Sequence, residues 1–246
     1  MTSKLLPIPT LAICSLALVA PLLSAQESSQ NPKGIRILFL GDQGHHRPAD
    51  RFKQLEPALT TSHIRYTYTE SLDDLNPDKL AGYDCIVIYA NHTKISPDQE
   101  KSLTDFVNNG GGLVALHCAS YCFLNSTNYL ELVGARFKSH KTGDFEETVL
   151  KSDHPVLQGV SPIKSWDETY VHEKHNTNRI VLAERVEGEL HEPYTWVRTS
   201  GKGRVFYTAW GHDQRTWSNT NFVHMVINAI EWTSAPSPAR LTPPSR

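Results

Sequence analysis

Short apolar runs that alternate with helix signals constrain this chain more than any other feature. Residues 35–40 read Ile-Arg-Ile-Leu-Phe-Leu, a nearly continuous apolar run that suits a strand covered on both faces. Gly41-Asp42-Gln43-Gly44 ends it, and a helix is expected over 49–59, where Phe52, Leu55 and Leu59 share one face. Further strands are expected at 63–68 and 84–90. The next helix has a full start signal: Ser96 to cap, Pro97 for the first position and Gln99 three residues after the cap. Gly110-Gly111-Gly112 stops it before a fourth strand at 113–116. The connections are too long for hairpins, so the pattern predicts parallel strands with right-handed crossovers. Shorter strands of mixed polarity are expected at 145–150, 163–172, 180–185 and 194–198, as a β-rich extension of the sheet. A strong strand at 204–209 and a helix over 221–232 follow. The expected class is α/β, a mostly parallel sheet with helices on both faces and a β-rich extension.

The N-terminus stands apart from this domain. Lys4 precedes an uncharged apolar stretch over 5–23, and Ser24 and Ala25 follow it. Residues 1–25 therefore read as a signal peptide, removed on export to the periplasm or the exterior. Pro7, Pro9 and Pro21 interrupt the stretch and argue against a membrane anchor that persists after processing. Residues 26–33 form a linker, 34–233 the domain and 234–246 a proline-rich tail expected to be disordered. The balance of 24 basic and 26 acidic residues, with no basic run, gives no expectation of a nucleic-acid partner. Cys85, Cys118 and Cys122 make no disulfide framework, and a Cys118–Cys122 pair is left open.

In an open parallel sheet, ligands bind beyond the carboxyl ends of the strands. His45, His46 and Arg47 follow the first expected strand, and Asn91 and His92 the strand at 84–90. His117, Cys118 and Tyr121 follow the strand at 113–116, and Trp210, His212 and Asp213 the one at 204–209. Polar and aromatic groups from four segments thus gather at one edge. For each histidine the alternative is an ordinary role: a solvated loop residue for His45, His46 and His92, a satisfied core residue for His117.

Two chemistries could use this edge. Cys118 on a turn, with His212 as base, would give thiol catalysis. Histidines with a carboxylate would give proton transfer or metal chemistry, with His45, His117, His140 and His212 as candidate ligands. No short local metal motif supports the second reading, so the cofactor is unnamed, a divalent metal such as zinc being the candidate. The carboxylate is expected in Trp166-Asp167-Glu168-Thr169-Tyr170. On a strand, Trp166, Glu168 and Tyr170 would share a face and Asp167 would take the other. Rings beside an acid suit a sugar, although an aromatic ladder on a surface strand would look the same.

The segments Gly-Asp-Gln-Gly-His-His (41–46), Gly-Gly-Gly-Leu-Val-Ala-Leu-His (110–117) and Asp-His-Pro-Val-Leu-Gln-Gly-Val (153–160), taken in order, carry a resemblance. Asp-Glu-Thr-Tyr (167–170), Gly-Lys-Gly-Arg-Val-Phe-Tyr (201–207) and Trp-Gly-His (210–212) complete it. Over about 34–233 the chain resembles the ThuA-like, trehalose-utilisation branch of the class I glutamine-amidotransferase-like superfamily. The resemblance implies a flavodoxin-like sheet, a role in the use of disaccharides, including sugars oxidised to keto forms, and no amidotransferase triad. The residues agree on the last point. Cys118 has Leu116 and Ser120 where the amidotransferase turn carries glycines, and Gln214 stands where an acid would orient His212. The expectation is an exported protein of carbohydrate catabolism acting on a glycoside or keto-glycoside, with a small carbohydrate as its partner. His117, His212 and Glu168 would be catalytic. His45, His46, Arg47, Asn91, Tyr121, Trp166, Tyr170, Trp210 and Asp213 would bind substrate. The competing expectation is a non-catalytic carbohydrate-binding module at the same edge.

Overall fold

The apolar run at 35–40 forms β1 (Arg36–Leu40), and Ile37 to Leu40 are buried on both faces. The structure, a computed structural model, describes residues 34–236. The expected signal peptide, the linker and most of the tail lie outside the described residues. After β1 come α1 (Pro48–Thr61), β2 (Arg65–Thr69), α2 (Pro77–Leu80), β3 (Cys85–Ile88), α3 (Pro97–Asn108) and β4 (Gly112–Leu116). The middle of the chain holds α4 (Thr127–Val133), β5 (Arg136–Ser139), β6 (Thr142–Glu146), β7 (Thr148–Val149), β8 (Lys164–Glu168) and β9 (Val171–Glu173). The last elements are β10 (Ile180–Glu187), β11 (Leu190–Ser200), β12 (Gly203–Thr208), α5 (Gln214–Trp217) and α6 (Thr220–Ser234). Among the described residues, no helix is long and apolar enough to cross a membrane.

Eight strands form the central sheet in the order β2-β1-β3-β4-β12-β11-β10-β7. The first five are parallel, and β11, β10 and β7 run antiparallel at one edge. The capping box at Ser96 and Gln99 starts α3 with both of its reciprocal hydrogen bonds. Gly203 is required where β12 begins, because a Cβ there would lie 2.0 Å from the Val107 carbonyl oxygen.

The β-rich extension is present at the sheet edge as β11, β10 and β7, and one part of it departs from its expected form. The expected strand at 163–172 is two strands, β8 and β9, with a turn that lifts Tyr170 out of the alternation. These strands do not extend the central sheet. β8 pairs antiparallel with β6 and β9 with β5, in two separate two-stranded sheets. Between β6 and β7, Glu147 is buried with Trp210 Nε1 and the Ile163 backbone N–H donating to it. Burial pushes its carboxyl up to about 7, against those two donors. A carboxyl raised on folding stabilises most below its unfolded value, and that stability is lost as pH rises toward the folded value. The shift corresponds to on the order of 3 kcal/mol between about pH 4.5 and 7. Tm is therefore expected to fall from pH 5 to 7.5, and less steeply in Glu147→Gln. Equal slopes would remove Glu147 as the cause.

Candidate active site

β1 and β3 are neighbours, while the chain leaves β1 for β2 on the other side, so the strand order reverses between them. The carboxyl ends of β1, β3, β4 and β12 all open on that side. β4 ends at Leu116, and His117 adopts a left-handed backbone conformation (φ 46°) that starts the tight turn His117–Tyr121. That conformation is strained for any residue with a Cβ, by about 1 kcal/mol, and the ring it carries is fully buried beside Glu168. Nδ1 of His117 donates to the Ala209 carbonyl, 2.7 Å away. A carbonyl only accepts, so the proton sits on Nδ1 and Nε2 of the neutral ring carries a lone pair. Nε2 lies 3.2 Å from Glu168 Oε2, without hydrogen-bond geometry, and is left with no partner.

His212 sits after Gly211, whose φ of 130° suits only glycine, with the His117 Cβ 3.4 Å from the place a Cβ would occupy. The backbone of this loop is fully engaged. Gly211 N and His212 N each donate to Asp167, at 3.1 Å. The Gly211 carbonyl accepts from Tyr89 Oη and Trp217 Nε1, both at 2.6 Å, and the His212 carbonyl accepts from Arg51 of α1 at 3.2 Å. Burial, with Thr216, Gly211 and His212 donating against it, pushes the Asp167 carboxyl up to about 6. Nδ1 of His212 lies 3.2 Å from Glu168 Oε1 and, like Nε2 of His117, lacks a hydrogen-bond partner.

Glu168 arrives from β8, outside the parallel sheet, and is only 6% exposed. Tyr194 donates to its backbone carbonyl. Its neighbour Asp167 points the other way, into the His212 loop, so two adjacent carboxylates serve opposite sides of one strand. His46 is 4% exposed, and its Nδ1 also has no partner. Gly44 N donates to Asp42 and Arg47 N to the Gly44 carbonyl, a tight bend that turns His46 inward and leaves His45 exposed. One nitrogen from each of His46, His117 and His212 and a Glu168 oxygen lie within 4.8 Å of one another. Burial lowers all three imidazoles, His46 to about 2, with nearby imidazoles adding to it; for His212, Glu168 acts in the opposite direction. The four groups could hold a metal ion, because imidazoles held neutral by burial keep their lone pairs free for one.

Among the expected ligands, His117 and His212 belong to this group, whereas His45 and His140 do not. The His45 ring lies 4.0 Å from that of His46, and His140 Nδ1 is 3.5 Å from Glu168 Oε1, and both residues are exposed. Tyr170 packs its ring 4.2 Å from His117 and is itself buried. Phe137 packs on Tyr170 with its ring tilted, and the exposed Tyr121 meets Phe137 edge-on, so rings run from the cluster to the surface. Asn91 N donates to Asp42. Arg47 pairs with Asp50, and Asp213 caps α5 and binds Arg215. Arg215 covers the Trp166 ring at 4.2 Å.

Trp210 is a correction. It is fully buried, stacked on Phe145 at 4.2 Å, with its indole N–H held by Glu147. A ring so enclosed has no face for a ligand. The thiol reading also lacks support: Cys118 is fully buried and free, and burial raises its thiol well above the ordinary range. Cys118→Ala is expected to leave activity within a few-fold and to cost about 1 kcal/mol of stability. Complete loss of activity in a folded variant would revive thiol catalysis. Cys122 donates its thiol to the Ala90 carbonyl, and Cys118 and Cys122 are unpaired with each other.

Sequence reasoning missed a buried chain behind His117. Glu192 accepts from His172 Nδ1 at 2.8 Å, His172 Nε2 lies 2.9 Å from Tyr207 Oη, and Tyr207 reaches the His117 carbonyl at 3.1 Å. The only trace in the sequence is alternation on β12, which puts Tyr207 on one face two residues before Ala209.

The sequence model of the ThuA family, described as trehalose utilisation, matches residues 36–233. The chain is similar to a solved ThuA-like protein from Parabacteroides merdae, with 17% identity and a TM-score of 0.73 over 86% of this chain and 94% of that one. It is similar to another from Bacteroides uniformis, with 16% identity and a TM-score of 0.70 over 84% of this chain and 94% of that one. A β-galactosidase from Bacillus circulans sp. alkalophilus shares the fold at 15% identity and a TM-score of 0.59, over 83% of this chain and 32% of that one. At such identities the likeness is one of fold. No curated protein matches the chain.

Proposed function

Because the chain belongs to the ThuA family, and so to a family of carbohydrate utilisation, we propose that it is an exported enzyme acting on a keto-glycoside at the His117–His212–Glu168 cluster. The observation that carries this reading is the convergence of three imidazole nitrogens without partners on one carboxylate, at the strand ends where this fold class binds ligands. Unpaired polar atoms in a buried place are destabilising, by roughly 1–3 kcal/mol each, and such groups are expected where a ligand supplies the missing partner. Glu168 is the group of the set placed to take a proton, and such a group has work to do where a substrate offers an acidic carbon-bound hydrogen. A sugar ketone supplies one on the carbon beside its carbonyl. Glu168 takes that proton as the C–H bond breaks, and the electron pair becomes an enolate held by the surrounding groups. The row Tyr170, Phe137, Tyr121 would lie along the sugar as it leaves the crevice.

The test follows a disaccharide and its keto form by proton NMR in deuterium oxide with the mature protein. Exchange of the hydrogen beside the ketone, or cleavage of the glycosidic bond, is expected for the keto form alone. A keto-disaccharide that binds but neither exchanges nor breaks would favour the carbohydrate-binding module.

A further inference from the structure

We propose that His46, His117, His212 and Glu168 bind one divalent transition-metal ion, so that the working site is a three-histidine, one-carboxylate metal centre. This rests on the reading that the cluster is the working site, and adds to it the identity of the missing partner. The four donors come from four separate parts of the chain: the loop after β1, the turn after β4, the end of β8 and the loop after β12.

Geometry distinguishes a metal site from a set of ion pairs. Glu168 Oε2 and Oε1 lie 3.2 Å from His117 Nε2 and His212 Nδ1, yet neither nitrogen has a hydrogen bond. The separation is close enough for hydrogen bonding and the direction is wrong for it. Two ligands of one tetrahedral ion, each about 2.0–2.2 Å from the centre, stand roughly 3.4 Å apart with both lone pairs aimed at the ion and not at each other. The widest separation in the set, within 4.8 Å, needs only a small inward turn of a side chain. His46 and His117 are more than nine-tenths buried, with unpartnered nitrogens at the cluster.

The supporting groups also fit. A metal-bound imidazole is normally oriented by a hydrogen bond from its other nitrogen, and Nδ1 of His117 makes that bond to the Ala209 carbonyl. The His212 loop is fixed through its backbone by Asp167, Tyr89, Trp217 and Arg51. Three imidazoles and one carboxylate select a borderline ion such as zinc over magnesium or calcium, which take oxygen ligands. Four protein ligands leave room for substrate only if the coordination number rises or Glu168 swings aside. The base and the ligand would then be the same group at different stages.

The test is metal content and affinity, measured without any sugar. Full-length mature protein, stripped with chelator and dialysed, is titrated with zinc by calorimetry, and cobalt is added in parallel to read its visible absorption band. The expected result is one ion per chain, a rise in Tm on zinc addition, and affinity at least 100-fold weaker in Glu168→Gln and His212→Ala. Circular dichroism verifies that both variants are folded, and His191→Ala, whose ring pairs with Glu184 away from the cluster, is expected to retain full affinity. No saturable binding of zinc, cobalt, manganese or nickel would overturn the proposal, as would unchanged affinity in both cluster variants. Sugar turnover that survives chelation would overturn the metal and leave the sugar reading standing. Stoichiometric zinc without turnover of any keto-sugar would do the reverse.

Discussion

His212→Ala is expected to abolish turnover of a keto-glycoside, by 100-fold or more, while moving Tm by no more than a few degrees. His212 is partly exposed, and its ring makes no hydrogen bond that holds the fold. The backbone of its loop is held by Asp167, Tyr89, Trp217 and Arg51 whatever side chain stands at 212. Removing the imidazole therefore takes away a group that can face substrate or metal and leaves the scaffold. His117→Ala should lose function as well, with a different signature. Its ring is fully buried and donates to the Ala209 carbonyl, so that acceptor is left unpaired, at about 1–3 kcal/mol. The measurement is Tm beside turnover at a temperature where both variants are folded. Near-normal turnover in folded His212→Ala would end the functional reading of this loop.

Trp210→Ala is expected to have the largest effect on stability, on the order of 3–5 kcal/mol. The indole is fully buried between Phe145 and Tyr194, and its N–H is a donor to the buried Glu147. The variant loses that packing and leaves a carboxyl short of a donor in a place water does not reach. Chemical denaturation should show a large fall in midpoint. At a temperature where the variant is folded, affinity for the sugar should change little, because Trp210 faces the core. Loss of sugar affinity with unchanged stability would restore Trp210 to the substrate surface.

The parallel part of the fold was legible because each central strand is covered on both faces and so must be apolar along its length. Residues 35–40, 84–90 and 113–116 carry that signature, and they pair side by side as β1, β3 and β4. The strand at 204–209 extends the row as β12, parallel to β4. The middle of the chain was less legible. β6 is half-exposed and β8 buries polar residues, Ser165, Asp167 and Glu168, so neither has a continuous apolar face to set its limits. The turn after Glu168 is made by backbone hydrogen bonds of Thr169 and Tyr170, and side-chain pattern does not report those.

The site divides in the same way. His117 and His212 follow strands whose ends the sequence marks, so their arrival at one edge could be read. The choice of His46 over His45 turns on a bend set by Asp42 and Gly44, a conformational matter that two adjacent histidines do not reveal. Trp210 follows the same strand as His212, yet alternation near a strand end did not say which of the two would turn inward. Alternation puts Asp167 on the face opposite Glu168, and its role is visible only with the Gly211–His212 loop packed against it.

The central claim is that the convergence of His46, His117, His212 and Glu168 serves chemistry on an oxidised sugar. Its most direct measurement is hydrogen exchange beside the ketone of a keto-disaccharide in deuterium oxide, with the parent protein and Glu168→Gln side by side. Glu168→Gln keeps the shape of the side chain and removes its capacity as a base. The account predicts exchange with the parent protein and none above background with Glu168→Gln, at equal Tm. Exchange at the parent rate in the variant would contradict it.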